Sequence, residues 1–433
     1  MMPLRDSRRF ESQDPPSLHP FRCRLGGLLV ALFALCGGGV GVAAATTHLA
    51  PYVPDSPVVV LQQVPSFTDP RVRHFELLRA RLSSDPHDMG LAVQLAKAYI
   101  DYGRSTGDAR YIGRGMAVVQ PWLGLRPAPI PALLVRATVL QNRHLFRQSR
   151  SVLAGLLARS PRNLQAWLTL ATVEMVQADY PAANQACVHV AQIGGDFMGM
   201  LCTAQLRALT GHARQAYALL QLIEHPGPIA PPAIKAYVEG LLADTAVRLG
   251  NDGAADRHFQ AALQWMPADN FMLADYADFL LDRREPAAVE KLLAGYEASD
   301  TSLLRVVFAE CALHDARASR DAAEMQARFA AMDRRGSRLY QREHAEFVLY
   351  VQHDPGRALR LAQQNWTVQR SPQDMRIFLE AALAVREPQA AQPVLAVLAR
   401  SHLQDPAIAR LRSQVASALQ DSHAITARNA PTS

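Results

Sequence analysis

Small and large apolar residues recur at helical intervals along most of this chain. Between Leu249 and Pro267 (LGNDGAADRHFQAALQWMP), Ala255, Phe259 and Ala262 fall on one helical face, with Gly250 before them and Pro267 after. Ala255 allows a neighbouring helix to approach closely, Phe259 fills the space one turn later, and Pro267 stops the helix. Ala243, preceded by Leu242, stands 12 positions before Ala255 and marks the helix that would pack there. The same alternation returns upstream at a fixed interval. Ala137 and Ala171, Leu133 and Trp167, and Ser149 and Ala183 are each 34 residues apart. A period of that length, with two helices in each copy, predicts an all-α, right-handed α-solenoid of about nine stacked helix pairs.

Breakers divide the rest of the chain. A short helix over Val72 to Leu82 precedes Asp85-Pro86, and the first clear unit carries Leu95, Ala96 and Tyr99. Its second helix is expected over Arg110 to Gln120, ending at Pro121-Trp122. A fourth unit carries Ala204, Gly211 and Ala216, and a Pro/Gly loop comes next at His225 to Pro232. Weaker units occupy 271–297, 303–332, 342–370 and 375–399, with breaks at Glu285-Pro286, Asp354-Pro355 and Ser371-Pro372. An amphipathic helix over 405–420 closes the array, and the tail 422–433 is expected to be disordered.

The N-terminal part has another pattern. Residues 1–24 hold five arginines, and residues 25–45 form an uncharged run. That run is long enough to span a bilayer as a helix, yet it is glycine-rich and ends in Ala43-Ala44-Ala45, like a signal-peptidase site. Retained anchor and cleaved signal both remain open, and both place the chain from residue 46 onward outside the cytoplasm. Residues 46–70, with five prolines, read as an extended spacer, and residues 71–421 as the repeat domain.

Composition changes this picture little. Hydrophobic residues make up 49% of the 433 positions but aromatics only 7%, so the core rests on alanine and leucine. The net charge of +6 is spread over helix faces with alternating sign, without a basic run interleaved with aromatics. Nucleic acid is therefore not an expected partner.

From Pro70 to about Arg412 the chain resembles a family of exported or membrane-anchored bacterial tetratricopeptide repeat (TPR) proteins. The segments that carry the resemblance are LAKAYIDYGRSTGDARYIGRGMAVVQPWL, LQAWLTLATVEMVQADYPAA, GNDGAADRHFQAALQWMPAD, YADFLLD and NWTVQRSPQD. The resemblance implies no enzymatic activity, and no cofactor is expected. It implies protein partners, among them a small membrane protein of the hydrogenase/urease accessory type encoded nearby.

Candidate chemistry is sparse. The fourteen histidines are scattered, and no CxxC, P-loop, GxSxG or helical zinc-protease pattern occurs, so neither a catalytic nor a metal site is expected. Cys187, on a second helix, and Cys202, early in the next first helix, face each other in such an array. They read equally as a disulfide or as two small core residues. Cys311, with no near partner in sequence, is expected to be buried.

First helices line the concave face of a solenoid, and there Asp244, Arg248, Asp275, Asp278, Asp282 and Glu310 form a mainly acidic stretch. It reads either as a groove for a basic or polar peptide or as an ordinary solvated face. Arg305 and Trp366, with Asn365 and Gln369, form a second candidate contact patch. The leading reading is a non-enzymatic periplasmic scaffold that binds a protein in its groove, tethered to the inner membrane or secreted. An assembly subunit of an envelope export or polysaccharide machine, or a TPR-supported transferase or hydrolase, are the alternatives.

Overall fold

The computed structural model describes residues 69–223 and 230–428. The basic N-region, the apolar run, nearly all of the proline-rich spacer and residues 429–433 lie outside the described residues. Those described form nineteen α-helices and one short 3₁₀ turn. A single helix, α1 (Pro70–Ser84), is followed by α2 (Met89–Thr106) and α3 (Ala109–Leu123), then α4 (Ile130–Asn142) and α5 (Phe146–Arg159). Next come α6 (Leu164–Val176), α7 (Tyr180–Leu209) and α8 (Ala213–Ile223), then α9 (Pro232–Arg248) and α10 (Asp252–Trp265). The second half comprises α11 (Asn270–Asp282), α12 (Pro286–Leu293), α13 (Asp300–Leu313), α14 (Ala318–Arg334), α15 (Gln341–Tyr350) and α16 (Pro355–Trp366). It ends with α17 (Pro372–Ala384), α18 (Gln392–Ser401) and α19 (Pro406–Arg428).

Gly195, at φ 74° and ψ −175°, divides α7 into two helices. A left-handed φ with an extended ψ is open to glycine alone, so the chain turns there without a loop. With α7 divided, α2 to α18 form nine sequential pairs among the described residues, bracketed by α1 and α19. Aspartate or asparagine caps open many of the helices. Asp88, Asn163, Asn251 and Asp269 each accept a hydrogen bond from the first turn.

Small residues sit where helices cross. Ala243, Ala255 and Ala262 are wholly buried, Phe259 nearly so, and α9 packs along α10. Ser149 replaces the usual alanine at one crossing and donates its buried hydroxyl to the Ala137 carbonyl at 2.9 Å. Ala255→Leu, adding bulk where no space exists, is expected to destabilise the fold by about 2 kcal/mol. Urea titration checks this, and an unchanged midpoint would place the α9–α10 crossing elsewhere.

Two boundaries differ from the sequence reading. α3 continues through Pro121 to Leu123, because a proline near a helix end removes few bonds and its fixed φ is helical. α19 runs to Arg428, beyond the expected start of the tail; Ser422 to Arg428 contains neither glycine nor proline, and the next breaker is Pro431.

The array winds back upon itself. α11 packs against α2. The Arg370 amide donates to the Val176 carbonyl at 2.8 Å, and the Ala213 amide to Gln404 Oε1 at 3.0 Å. Units about five pairs apart therefore touch, and the second superhelical turn seats on the first.

Candidate functional site

Winding this tight turns the inner face into a narrow, charged hollow. First helices α9, α11, α13, α15 and α17 line it. Asp244 accepts two hydrogen bonds from buried Arg248, at 3.0 and 2.9 Å, and Arg248 also lies 3.7 Å from Asp405. Asp278 accepts two from Arg305, at 2.8 and 2.7 Å, and Arg305 is only 2% exposed. Asp282 reaches across to Arg376 of α17, at 2.5 and 2.7 Å. The expected row of open carboxylates is thus largely neutralised. Asp244, Asp278 and Asp282 each find an arginine from their own or another unit, in the bidentate geometry that suits guanidinium.

Two carboxyls are left under-neutralised. Asp275 has no arginine within ion-pair distance among the described residues. Water reaches it, but protein surrounds it inside the hollow, and that burial, with Asp278 and Asp244 nearby, pushes its carboxyl up to about 7. Glu346 shares Arg342 with Glu343 on unequal terms. Arg342 donates to Glu343 at 2.6 Å but stands 3.7 Å from Glu346. Burial raises both, yet Arg342 and Arg305 outweigh it at Glu343, whose carboxyl is held below the usual range. Glu346 is pushed up to about 8.

Beside Glu346 lies a cavity of about 90 Å³ floored by Leu281, Phe308, Val351 and Ile377, with Asp278, Asp282 and Arg376 on its walls. An apolar floor under a carboxyl rim suits an aliphatic side chain with a cationic tip.

The raised Asp275 has a consequence for stability. Its ordinary value is 3.8 and its folded value about 7. The folded state therefore holds the proton more tightly, and the stability this gives is full below roughly pH 4 and lost as pH rises through 7. Asp275→Asn does not ionise and escapes that loss. Its melting temperature should match wild type at pH 4 and exceed it at pH 8; coincident curves at both would contradict the crowding.

Glu310 does not face the hollow. It is fully buried where α13 meets α14, 3.5 Å from Arg317, and burial with neighbouring Asp321 pushes its carboxyl up to about 7. A single-residue offset in helical phase accounts for the difference from the expected groove position. Trp366 and Arg305 do not share a patch. Trp366 is buried at the end of α16, edge-on to Phe378 at 5.8 Å, a core residue between two units. Asn365 and Gln369 are also buried, and Asn365 donates to Asp374 at 2.7 Å.

Arg342, Glu346, Arg376 and Glu380 belong to the inner face although the sequence reading passed over them. The signal was present: Arg342 and Arg376, like Glu346 and Glu380, stand 34 residues apart at matching first-helix positions. Cys187 and Cys202 form a disulfide across the kink in α7, with Cα atoms 5.5 Å apart. Cys311 is buried on α13.

Sequential helix pairs with small-residue crossings and an inner face built from first helices define the class, a TPR-type α-solenoid. No protein-family model and no curated protein matches the chain. Among solved structures it is similar to PilW, a widely conserved type IV pilus biogenesis factor (16% identity, 46% of this chain and 94% of that one, TM-score 0.38). It is similar also to a tetratricopeptide repeat protein from Parabacteroides merdae (13% identity, 55% and 91% covered, TM-score 0.36) and to yeast Tom70 (8% identity, 83% and 87% covered, TM-score 0.37).

Proposed function

We propose that the protein is a non-enzymatic scaffold, exported from the cytoplasm, that binds a basic segment of a partner protein on its inner face. The carrying observation is Glu346, whose carboxyl is raised by burial beside an apolar cavity with Arg342 3.7 Å away, while Asp275, raised by burial and its neighbouring carboxylates, lacks a close cation on the same inner face. A lysine or arginine side chain supplies that cation, and a pre-formed rigid surface binds with little ordering cost. The Arg-rich flank before the apolar run supports export, and the Cys187–Cys202 disulfide suits an oxidising compartment. No helix among the described residues is long and apolar enough to cross a membrane, and residues 25–45 are the proposed signal or tether. A membrane protein encoded nearby is the first partner to test.

A phosphatase fused after Pro70 should be active, and a reporter that works only in the cytoplasm should be silent there. Pull-down from solubilised membranes, read by mass spectrometry, should recover a partner with wild type and lose it with Asp275→Asn/Glu346→Gln. Recovery should also weaken below pH 7, as the carboxyls take up protons. Equal recovery with the double variant would move the contact surface off the inner face.

A further inference from the structure

A second cavity, of about 330 Å³, opens at the seam between the two superhelical turns and is unrelated to the inner face. The first turn contributes the loop and first residues of α5, His144 to Gln148, and the second contributes Arg338, Thr367 and Val368. Leu145, the residue capping α5, gives no side-chain hydrogen bond to the helix. The Phe146, Arg147 and Gln148 amides accordingly open the helix without a side-chain acceptor, where the helix dipole presents its positive end.

Four further observations favour an anion. No carboxylate lines the cavity, while Arg147 and Arg338 do, and neither forms an ion pair among the described residues. His144, whose ring also lines it and stacks on Phe146 at 5.4 Å, keeps a buried Nδ1 with no hydrogen-bond partner. The carboxylates whose charge reaches that ring are occupied: Glu343 by Arg342 at 2.6 Å, Asp374 by Asn365 at 2.7 Å. Carbonyls bordering the seam are spoken for as well. Gln177 donates to the Val368 carbonyl at 3.4 Å, and Arg370 to that of Gln177 at 3.5 Å.

We propose that this seam cavity binds a phosphoryl group, held by the open amides of α5 and by Arg147 and Arg338 from opposite turns. Donors converging from two sides fit a tetrahedral dianion better than a planar carboxylate, which a single guanidinium fork satisfies. The volume lies at the low end of ligand pockets, roughly 300–1,000 Å³, and so suits a phosphomonoester or a lipid phosphate headgroup. Because the site joins residues some 200 positions apart, its occupant would also fasten the two turns together.

The test is the melting temperature of the full chain in detergent, titrated with inorganic phosphate against chloride of equal ionic strength. Wild type should show a saturable rise specific to phosphate, since a ligand of the folded state stabilises it by mass action. Arg147→Gln/Arg338→Gln should melt as wild type without phosphate and bind it at least about tenfold more weakly, two charge-assisted contacts being lost. Arg360→Gln, an exposed arginine outside the cavity, should respond as wild type. No phosphate-specific rise, or an equal rise in the double variant, overturns the proposal. A parallel titration with soluble dihexanoyl phosphatidic acid assigns the source: tighter binding than phosphate, with the same arginine dependence, places the group on a lipid, and weaker binding places it on a soluble phosphomonoester.

Discussion

Replacing Asp278 with alanine is expected to lower the unfolding free energy by about 3 kcal/mol, among the largest effects of any single exposed-edge substitution here. The reason lies with its partner. Arg305 is 2% exposed, and its remaining donor bond is to the Thr301 carbonyl at 3.2 Å. Without Asp278 a guanidinium stays inside the protein with no bidentate acceptor. Asp278 itself retains some solvent contact, which holds the loss to the lower end of what broken buried pairs give. Adding Arg305→Met to the alanine variant should recover much of the loss, because the stranded charge is then gone and the methionine stem keeps the packing. Guanidinium denaturation of the single and double variants measures both terms. A double variant less stable than Asp278→Ala alone would show that Arg305 is held by something other than this pair.

The other large effect concerns the disulfide. Cys187 and Cys202 close a loop across 15 residues and the kink at Gly195. Cross-linking a loop of that length restricts the unfolded chain by roughly 3 kcal/mol in the entropic account. Cys187→Ala/Cys202→Ala should therefore melt well below wild type, and reductant should bring wild type down towards the variant. A wild-type melt indifferent to reductant would mean that the two thiols are not bonded.

Much of the fold was legible because its code is local. Ala243, Ala255 and Phe259 declare a helix crossing through size and spacing alone, and the crossing is where they place it. Asp and Asn before apolar runs mark helix starts for an equally local reason. The inner face was legible only as far as composition: Asp244, Asp278 and Asp282 lie on it, but the sequence does not announce that Arg248, Arg305 and Arg376 reach them. Arg376 meets Asp282 from 94 residues away. Such a pairing depends on superhelical pitch, which accumulates from small rotations at every unit and has no signature in any one of them. Glu310 failed for a smaller reason, since one position of helical phase separates a lumen residue from one under the next helix. The bond from Arg370 to Val176 and the seam cavity lay equally out of reach, because nothing nearby in sequence says which unit lands on which.

A repeat array whose units touch only their neighbours behaves as a spring: it can be stretched, frayed from either end, or lengthened by inserting a copy. The bonds from Arg370 to Val176, from Ala213 to Gln404 and from Arg376 to Asp282 remove that elasticity. Pulling on one end loads units several steps away at once, so the coil responds as a rigid post and cannot uncoil gradually. An added repeat would shift every later unit out of register with the turn beneath it, which ties this architecture to its length in a way that open solenoids are not.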